Sequence, residues 1–296
     1  MMRNSLNIFG NASSCLDCSD GMIGVTGASG FIGAHLLAQL GDSGFSVDLR
    51  TLNRPDVLAD YLRRMDCRTI VHLAGPLPGD PDAGSVETEL AQRVAGAALT
   101  RDECHIIFSS SIRVHSRDEG MFAVDSTVAP FDAYGDGKAS AEGVFLSCAD
   151  DSHPVSILRI SSVQGIGING RAQGLIGVFA RQAANGGPVT VMGSGEGIKD
   201  LVGVATVLDV LGNCILQPPS NSEIIPVGSG RPTTVSELAE SLAMLAGVDV
   251  VHIDADPNDL SGYVDCESTN DDLQNMVESV WRAVELTAAN KSGHVK

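Results

Sequence analysis

A tyrosine and a lysine four residues apart, Tyr134 and Lys138, are the side chains best suited to moving a proton. On a helix this spacing places both side chains on one face. An ammonium group close to a phenol favours the phenolate and lowers the pKa of the phenol, which makes the hydroxyl a proton donor and acceptor near neutral pH. Neither Tyr61 nor Tyr263 has a lysine four residues later. The pair therefore predicts acid–base chemistry, and an ordinary exposed helix pair is the alternative.

Three consecutive serines precede this pair by about two dozen residues. They follow the apolar run 105–108, which predicts a buried strand that leads directly into Ser109, Ser110 and Ser111. Ligands of parallel sheets lie beyond the carboxyl ends of the strands. The hydroxyl of Ser111 could therefore hold a reacting oxygen beside the phenol of Tyr134.

A glycine-rich stretch near the start of the chain predicts the binding of a dinucleotide. Gly27, Gly30 and Gly33 are three residues apart, after the apolar run 22–26 and before helical spacing at 35–40. In a strand–turn–helix unit, the first glycine allows the turn and the second lets the backbone approach a pyrophosphate. The third allows close packing of the helix on the strand, and the helix N-terminus supplies amides and partial positive charge. A chance pattern in a loop is the alternative.

Strands and helices alternate over the first half of the chain. Strands are predicted at 22–26, 44–49, 69–76 and 105–108, and helices at 35–40, 55–65 and 86–99. This order predicts an α/β fold with a doubly wound, Rossmann-like parallel sheet. After Ile166 the alternation is less regular, with helices within 170–187, at 235–246 and at 273–286. Phe179 and Val191 are expected in the core.

Composition narrows the class of protein. The 296 residues carry a formal charge of −18, which argues against nucleic-acid and anionic-membrane partners. No apolar run is long enough to span a bilayer and no secretory signal is visible. Seven cysteines, an odd and scattered number, predict reduced thiols in a cytoplasmic protein. Cys15 and Cys18 form a lone CxxC, and no metal-ligand pattern occurs.

Taken together, these motifs resemble the extended short-chain dehydrogenases/reductases of the NAD-dependent epimerase/dehydratase family, which act largely on nucleotide sugars. The resemblance runs from about Met22 to Glu285. It is carried by the glycine-rich stretch and by the segments 72–75, 108–111, 158–160, 191–202 and 227–230, together with Tyr134 and Lys138. It implies that Ser111, Tyr134 and Lys138 take part in hydride transfer at a sugar carbon.

The resemblance also implies a cofactor, NAD or NADP, and a domain organisation. The expected cofactor contacts are Gly27, Ser29, Gly30, Phe31, Ile32, Gly33, Arg50, Leu73, Ala74, Gly75, Tyr134 and Lys138. Residues 1–21 are expected to be a loose N-terminal extension and 22–165 a dinucleotide-binding domain with a return segment at about 200–228. Residues 166–199 and 229–296 are expected to form a smaller substrate-binding lobe. The expected partner is a small-molecule substrate, a sugar nucleotide in the first place, and a homodimer is compatible with the family.

The chain departs from the family pattern at several positions. His115 stands where a tyrosine is common, Ser162 where an asparagine is common, and Lys199 where an arginine is common. A helix asparagine of the family is replaced near Glu89. The dehydratase branch carries an Asp-Glu pair where this chain has Ile112 and Arg113. Dehydration is therefore disfavoured, and an epimerase or a keto-sugar reductase is expected.

The choice between NAD and NADP stays open at this level. An acidic residue at the end of the second strand would bind ribose hydroxyls and favour NAD, whereas arginine would accommodate a 2′-phosphate. Asp48 is expected within the second strand, and Arg50 and Arg54 flank the adenosine end. A non-catalytic NAD(P)-binding sensor or scaffold of the same fold is the alternative function.

Overall fold

The computed structural model describes residues 21–117, 120–254, 261–266, 269 and 271–293. The chain divides into two compact units. The first comprises Met1–Val114, Val128–Arg159 and Leu208–Ile225, and the second comprises His115–Thr127, Ile160–Val207 and Pro226–Lys296. Residues 1–20 of the predicted N-terminal extension, and with them Cys15 and Cys18, lie outside the described residues.

The described residues form short strands and mostly longer helices. The strands are β1 (Met22–Thr26), β2 (Gly44–Val47), β3 (Cys67–His72), β4 (His105–Ser111), β5 (Met121–Phe122), β6 (Val155–Ile160), β7 (Ser162–Ile166), β8 (Ala172–Gln173), β9 (Val189–Met192), β10 (Ile198–Gly203), β11 (Glu223–Val227), β12 (Pro232–Thr234), β13 (Val250–Ile253) and β14 (Tyr263–Val264). The helices are α1 (Phe31–Leu40), α2 (Pro55–Arg64), α3 (Ala83–Ala98), α4 (Ala133–Ser147), α5 (Gly174–Ala184), α6 (Val204–Leu216), α7 (Val235–Ala246) and α8 (Leu273–Gly293). None of the helices in the described ranges is long and apolar enough to cross a membrane.

The first unit is built on a six-stranded sheet of order β11-β6-β4-β3-β1-β2. Strand β1 pairs in parallel with β2 and β3, and β3 pairs in parallel with β4. This arrangement confirms the predicted α/β fold with a Rossmann-like parallel sheet. Strand β6 is buried at every position, and β4 at every position but Ser109. Continuous burial of this kind is typical of parallel strands covered on both faces.

Three strand ends differ from the sequence prediction. Strand β3 ends at His72 and not at Pro76, because the amides of Leu73 and Ala74 donate to Oγ1 of Thr26 and not to a neighbouring strand. Strand β2 pairs with β1 only as far as Val47, so Asp48 lies beyond the strand and not within it. Its carboxylate accepts a hydrogen bond from the Arg50 amide at 3.1 Å, and this local turn replaces further strand pairing. Strand β4 continues further than predicted and includes Ser109–Ser111.

The second unit has its own core, formed mainly by helices α5, α7 and α8 with β9 and β10. Phe179 and Val191 are 3% and 0% exposed within it, as predicted. Helix α7 has the predicted bounds and begins with a capping box in which Thr234 and Glu237 satisfy each other's backbone amides. A mixed sheet of order β12-β10-β7-β8 belongs to the same unit.

Candidate active site

The glycine-rich turn between β1 and α1 is shaped by close approach of backbone to backbone. Gly27 has φ +65°, and a Cβ there would meet the Ala74 amide nitrogen at 2.7 Å. A Cβ on Gly33 would come within 2.3 Å of the Gly27 carbonyl oxygen. Gly30 differs, because it is exposed, has φ −74° and leaves the N-terminus of α1 without a side-chain cap. The first amides of α1, at Phe31 and Ile32, have no acceptor within the helix.

Thr26, the last residue of β1, fixes the neighbouring loop that follows β3. Its Oγ1 accepts hydrogen bonds from the amides of Leu73 and Ala74 at 3.0 and 3.1 Å. The same oxygen lies 2.7 Å from Nδ1 of His72, to which it donates because its acceptor sites are used by the two amides. Burial lowers the pKa of His72 to about 3, so the imidazole is neutral in the working pH range. Nε2 of His72 is buried without a hydrogen-bond partner among the described residues. The loop 73–75 is therefore positioned by an uncharged network centred on Oγ1 of Thr26.

Thr26→Val is expected to destabilise the protein by about 1–3 kcal/mol, because it leaves the half-buried amides of Leu73 and Ala74 without an acceptor at nearly constant volume. Urea unfolding measures this free energy. Ser29→Ala, at an exposed position of the same turn, is the control and should leave the free energy of unfolding unchanged. Equal stability of Thr26→Val and the wild type would contradict the role assigned to Oγ1.

Asp48 and Arg50 lie at the carboxyl end of β2. The amide and the guanidinium of Arg50 both donate to the Asp48 carboxylate, and these bonds lower the pKa of that carboxyl. Arg50 is 89% exposed along its side chain. Arg54 makes a similar exposed pair with Asp56 at 2.6 Å. The residue at the strand end is thus an ionised carboxylate, with Arg50 held against it.

The three serines of β4 have different partners. Ser109 donates to the His72 carbonyl at 3.1 Å, and Ser110 donates to the Glu142 carboxylate at 2.5 Å. Glu142 is also held by a buried Arg159. Ser111, the last residue of the strand, accepts a hydrogen bond only from the Arg113 amide among the described residues, at 3.2 Å. Its hydroxyl proton is therefore available for a ligand.

The start of α4, which carries Tyr134, is tied to the segment that follows Ser111. Asp132 caps the helix by accepting from the Gly135 amide at 2.7 Å. Its other carboxylate oxygen accepts hydrogen bonds from Nε of Arg113, at 3.0 Å, and from the terminal Nη2 of the same guanidinium. A Cβ on Gly135 would meet the Arg113 carbonyl at 2.3 Å. These contacts fix the phenol-bearing turn of α4 relative to the end of β4.

Lys138 lies one turn after Tyr134 and is almost fully buried. Its Nζ donates to the Ser109 carbonyl at 2.9 Å and to Oε1 of Glu87 at 2.8 Å. It lies 4.9 Å from the centroid of the Phe108 ring and 5.7 Å from that of Tyr134. The structure thus places the predicted lysine between β4, α3 and the predicted tyrosine.

A profile of the NAD dependent epimerase/dehydratase family matches residues 23–222, more than half of the chain. The chain belongs to this family. Its relatives include dTDP-4-dehydro-6-deoxyglucose reductase of Escherichia coli, 25% identical over 273 residues that cover 78% of this chain and 86% of the relative. The predicted resemblance to extended short-chain dehydrogenases/reductases is confirmed, and with it the dependence on a nicotinamide dinucleotide, NAD or NADP.

Solved structures of the epimerase/dehydratase type share the fold. MoeE5 in complex with UDP-glucose and NAD has a TM-score of 0.79 at 24% identity, over 90% of this chain and 99% of that chain. UDP-glucuronic acid 4-epimerase from Bacillus cereus, in complex with UDP-glucuronic acid and NAD, has a TM-score of 0.77 at 18% identity over 90% and 99%. These likenesses establish the architecture, and together with the family they support an enzyme of the extended short-chain type.

The glycine-rich turn and its surroundings can accommodate the nicotinamide dinucleotide that the family name implies. Side chains at Gly27 or Gly33 would collide with backbone, so the turn is compact, while Gly30 leaves its outer side open. The free amides at the start of α1 and the carboxylate of Asp48 at the end of β2 can serve a pyrophosphate and a ribose. The first unit therefore contains the donors and acceptors that such a cofactor needs.

The sequence analysis missed three residues that make contacts around the candidate site. Glu87 is the carboxylate of α3 that meets Lys138. Glu89, near which the chain departs from the family pattern, lies 3.9 Å from Arg93. Thr26 was part of the glycine-rich motif but had no predicted role. Arg93 donates to the carbonyls of the loop after β2, at Leu49 and Leu52. No signal in the sequence distinguished Glu87 from Glu89, because the burial of Glu87 beside Lys138 is visible only in the structure.

Proposed function

We propose that this protein is an NAD-dependent enzyme that oxidises and reduces a carbinol carbon of a nucleotide sugar, as an epimerase or a keto-sugar reductase. The observation that carries this proposal is the placement of Ser111, Tyr134 and Lys138 in one unit with the glycine-rich turn. Ser111 ends a central strand, and Lys138 is hydrogen-bonded to the same strand one helical turn from Tyr134.

Each residue of the triad has a distinct role in the proposed reaction. The phenol of Tyr134 exchanges a proton with the reacting oxygen, as donor in reduction and as acceptor in oxidation. The hydroxyl of Ser111 holds that oxygen. Lys138 supplies a positive charge beside the phenol, and one of its three N–H groups remains for a ribose hydroxyl. When bound, NAD accepts a hydride and its reduced form donates one.

Dehydration is not proposed, because the chain lacks an acid at the position next to the serine. Ile112 and Arg113 stand there, and the guanidinium of Arg113 is engaged by Asp132. An arginine cannot donate its proton in a protein. Elimination of a sugar hydroxyl would therefore have no general acid from this segment.

A panel of nucleotide sugars tests the proposal. Purified protein is incubated with UDP-glucose, UDP-glucuronic acid or dTDP-4-dehydro-6-deoxyglucose, the compounds named with its relatives, in the presence of NAD, NADP or their reduced forms. Proton NMR of the sugar detects an epimer, and absorbance of the reduced cofactor detects net oxidation or reduction. Cofactor binding without turnover on an extended panel would favour the non-catalytic sensor.

We further propose that the chain prefers NAD, because an ionised carboxylate, Asp48, follows β2 directly. Asp48→Asn is expected to reduce the preference for NAD over NADP by about tenfold, since it removes the negative charge that accepts from ribose hydroxyls and repels a 2′-phosphate. Titration calorimetry with each cofactor measures it. Asp56→Asn is the matched control, because Asp56 forms the same kind of exposed pair with Arg54.

A preference for NADP would give a different result in the binding measurements. If Arg50 or Arg54 instead neutralises a 2′-phosphate, the double variant Arg50→Ala with Arg54→Ala loses affinity for NADP far more than for NAD. That result, together with an unchanged preference in Asp48→Asn, would contradict the assignment of Asp48.

A further inference from the structure

Glu87 of α3 and Lys138 of α4 form a buried ion pair beside the candidate catalytic tyrosine. Nζ of Lys138 lies 2.8 Å from Oε1 of Glu87, and the two side chains are 5% and 1% exposed. The ammonium also donates to the Ser109 carbonyl of β4 at 2.9 Å. Lys138 is therefore held between a strand and a helix before any ligand binds.

Stability alone is a weak reason for a carboxylate at this position. Oε2 of Glu87 is buried without a hydrogen-bond partner among the described residues, and a Cβ on Gly75 would meet it at 2.3 Å. Burial raises the pKa of the Glu87 carboxyl, while Lys138 opposes this change, and the net direction is upward. A carboxyl with a raised pKa stabilises the fold at acid pH and loses that contribution as the pH rises through its folded pKa. At neutral pH the charge of Glu87 therefore costs stability, and buried ion pairs are often no more stable than uncharged replacements.

The other ionisable groups around the pair are already accounted for. From β3, burial keeps the pKa of His72 at about 3, so its ring is neutral. On α3, the guanidinium of Arg93 donates to the carbonyls of Leu49 and Leu52 in the loop after β2. From α4, Glu142 is engaged by Arg159 and Ser110. Among the described residues, Glu87 is thus the negative charge in contact with Lys138.

We propose that Glu87 is a positioning residue, which fixes the Lys138 ammonium against β4, offsets its positive charge at Tyr134, and so sets the pH range in which the phenol exchanges its proton. Its part in turnover rests on the proposed function, whereas its electrostatic effect exists in the free protein. The positive charge of Lys138 favours the phenolate, and the negative charge of Glu87 opposes it. Neutralising Glu87 must therefore ease the ionisation of Tyr134.

The test is a titration of the full-length protein labelled with ¹³C-tyrosine and observed by NMR. The chain has three tyrosines, and Tyr134→Phe identifies the signal of Tyr134. In Glu87→Gln the titration curve of Tyr134 is expected to move to lower pH by about one unit, which is the order of shift that a neighbouring charge produces. If the protein turns over a nucleotide sugar, the pH profile of oxidation moves in the same direction.

Two further variants complete the test. Glu89→Gln removes an exposed carboxylate two residues away on the same helix and should leave the curve unchanged. Glu87→Asn is a second neutral variant, with a smaller side chain beside Gly75. A curve that stays in place or moves to higher pH in the neutral variants overturns the proposal, as does loss of folding in both. A shifted curve in a protein that turns over no nucleotide sugar supports the electrostatic role and contradicts the proposed function alone.

Discussion

Tyr134→Phe is expected to lower turnover by roughly 10²–10⁴-fold, because it removes the group that exchanges a proton with the reacting oxygen. The substitution deletes one hydroxyl and little volume. The hydroxyl of Tyr134 makes no hydrogen bond to another residue of the described chain, so folding and cofactor affinity should be retained. Steady-state kinetics on the substrate found in the panel measure turnover, and calorimetry measures cofactor binding.

Tyr61→Phe is the matched control for this variant. Tyr61 donates to the Ser46 carbonyl at 3.2 Å and packs edge-on against Phe45, away from the triad. Its loss should leave turnover unchanged. Ser111→Ala should cost less than Tyr134→Phe, since the serine only orients the oxygen. Near-normal turnover in Tyr134→Phe would contradict the proposed mechanism.

A test of Lys138 requires a double variant, because Lys138 is the ion-pair partner of Glu87. Lys138→Met alone leaves a buried carboxylate without its partner, which costs about 3–5 kcal/mol of stability. A loss of activity in that variant could therefore come from unfolding as well as from the missing catalytic charge. The double variant Lys138→Met with Glu87→Gln removes both charges, and circular dichroism should show a folded protein whose turnover is at least as low as that of Tyr134→Phe.

Gly30→Val is expected to abolish dinucleotide binding and leave a folded protein. Gly30 is exposed, its φ of −74° suits any residue, and a Cβ there meets only the Gly27 carbonyl oxygen, at 3.0 Å. The added side chain would occupy the space in front of the first amides of α1, where a pyrophosphate is expected. Calorimetry with NAD and with NADP measures the loss.

Variants of two other glycines distinguish a loss of cofactor binding from a loss of stability. Gly33→Val places a side chain against the Gly27 backbone at 2.3 Å, and such overpacking costs about 1–3 kcal/mol or more. It should lower the melting temperature as well as binding. Gly96→Val, at an exposed helical position with nothing within 4 Å, should bind NAD as the wild type does. Undiminished affinity in folded Gly30→Val would exclude the glycine-rich turn as the pyrophosphate site.

Local patterns in the sequence were sufficient for the sheet, the glycine-rich turn and the Tyr134–Lys138 pair. Each depends on spacing within a few residues, since helical and strand periodicity decide which side chains share a face. Local spacing was enough to predict the strands β1, β3 and β4 and the bounds of α7. It was also enough to predict the burial of Phe179 and Val191, which are apolar residues within regular elements.

Tertiary structure decided what depends on contacts between distant segments. Glu87 and Glu89 are equivalent in sequence, and only the packing of α3 against α4 brings Glu87 to Lys138, 51 residues away. Thr26 meets His72 and the loop at 73–75 because β1 and β3 are neighbours in the sheet. The end of β2, which places Asp48 outside the strand, depends on where its pairing with β1 stops. Spacing along the chain predicts which side chains share an element, whereas the partner of a buried charge is chosen by the packing of elements far apart in sequence.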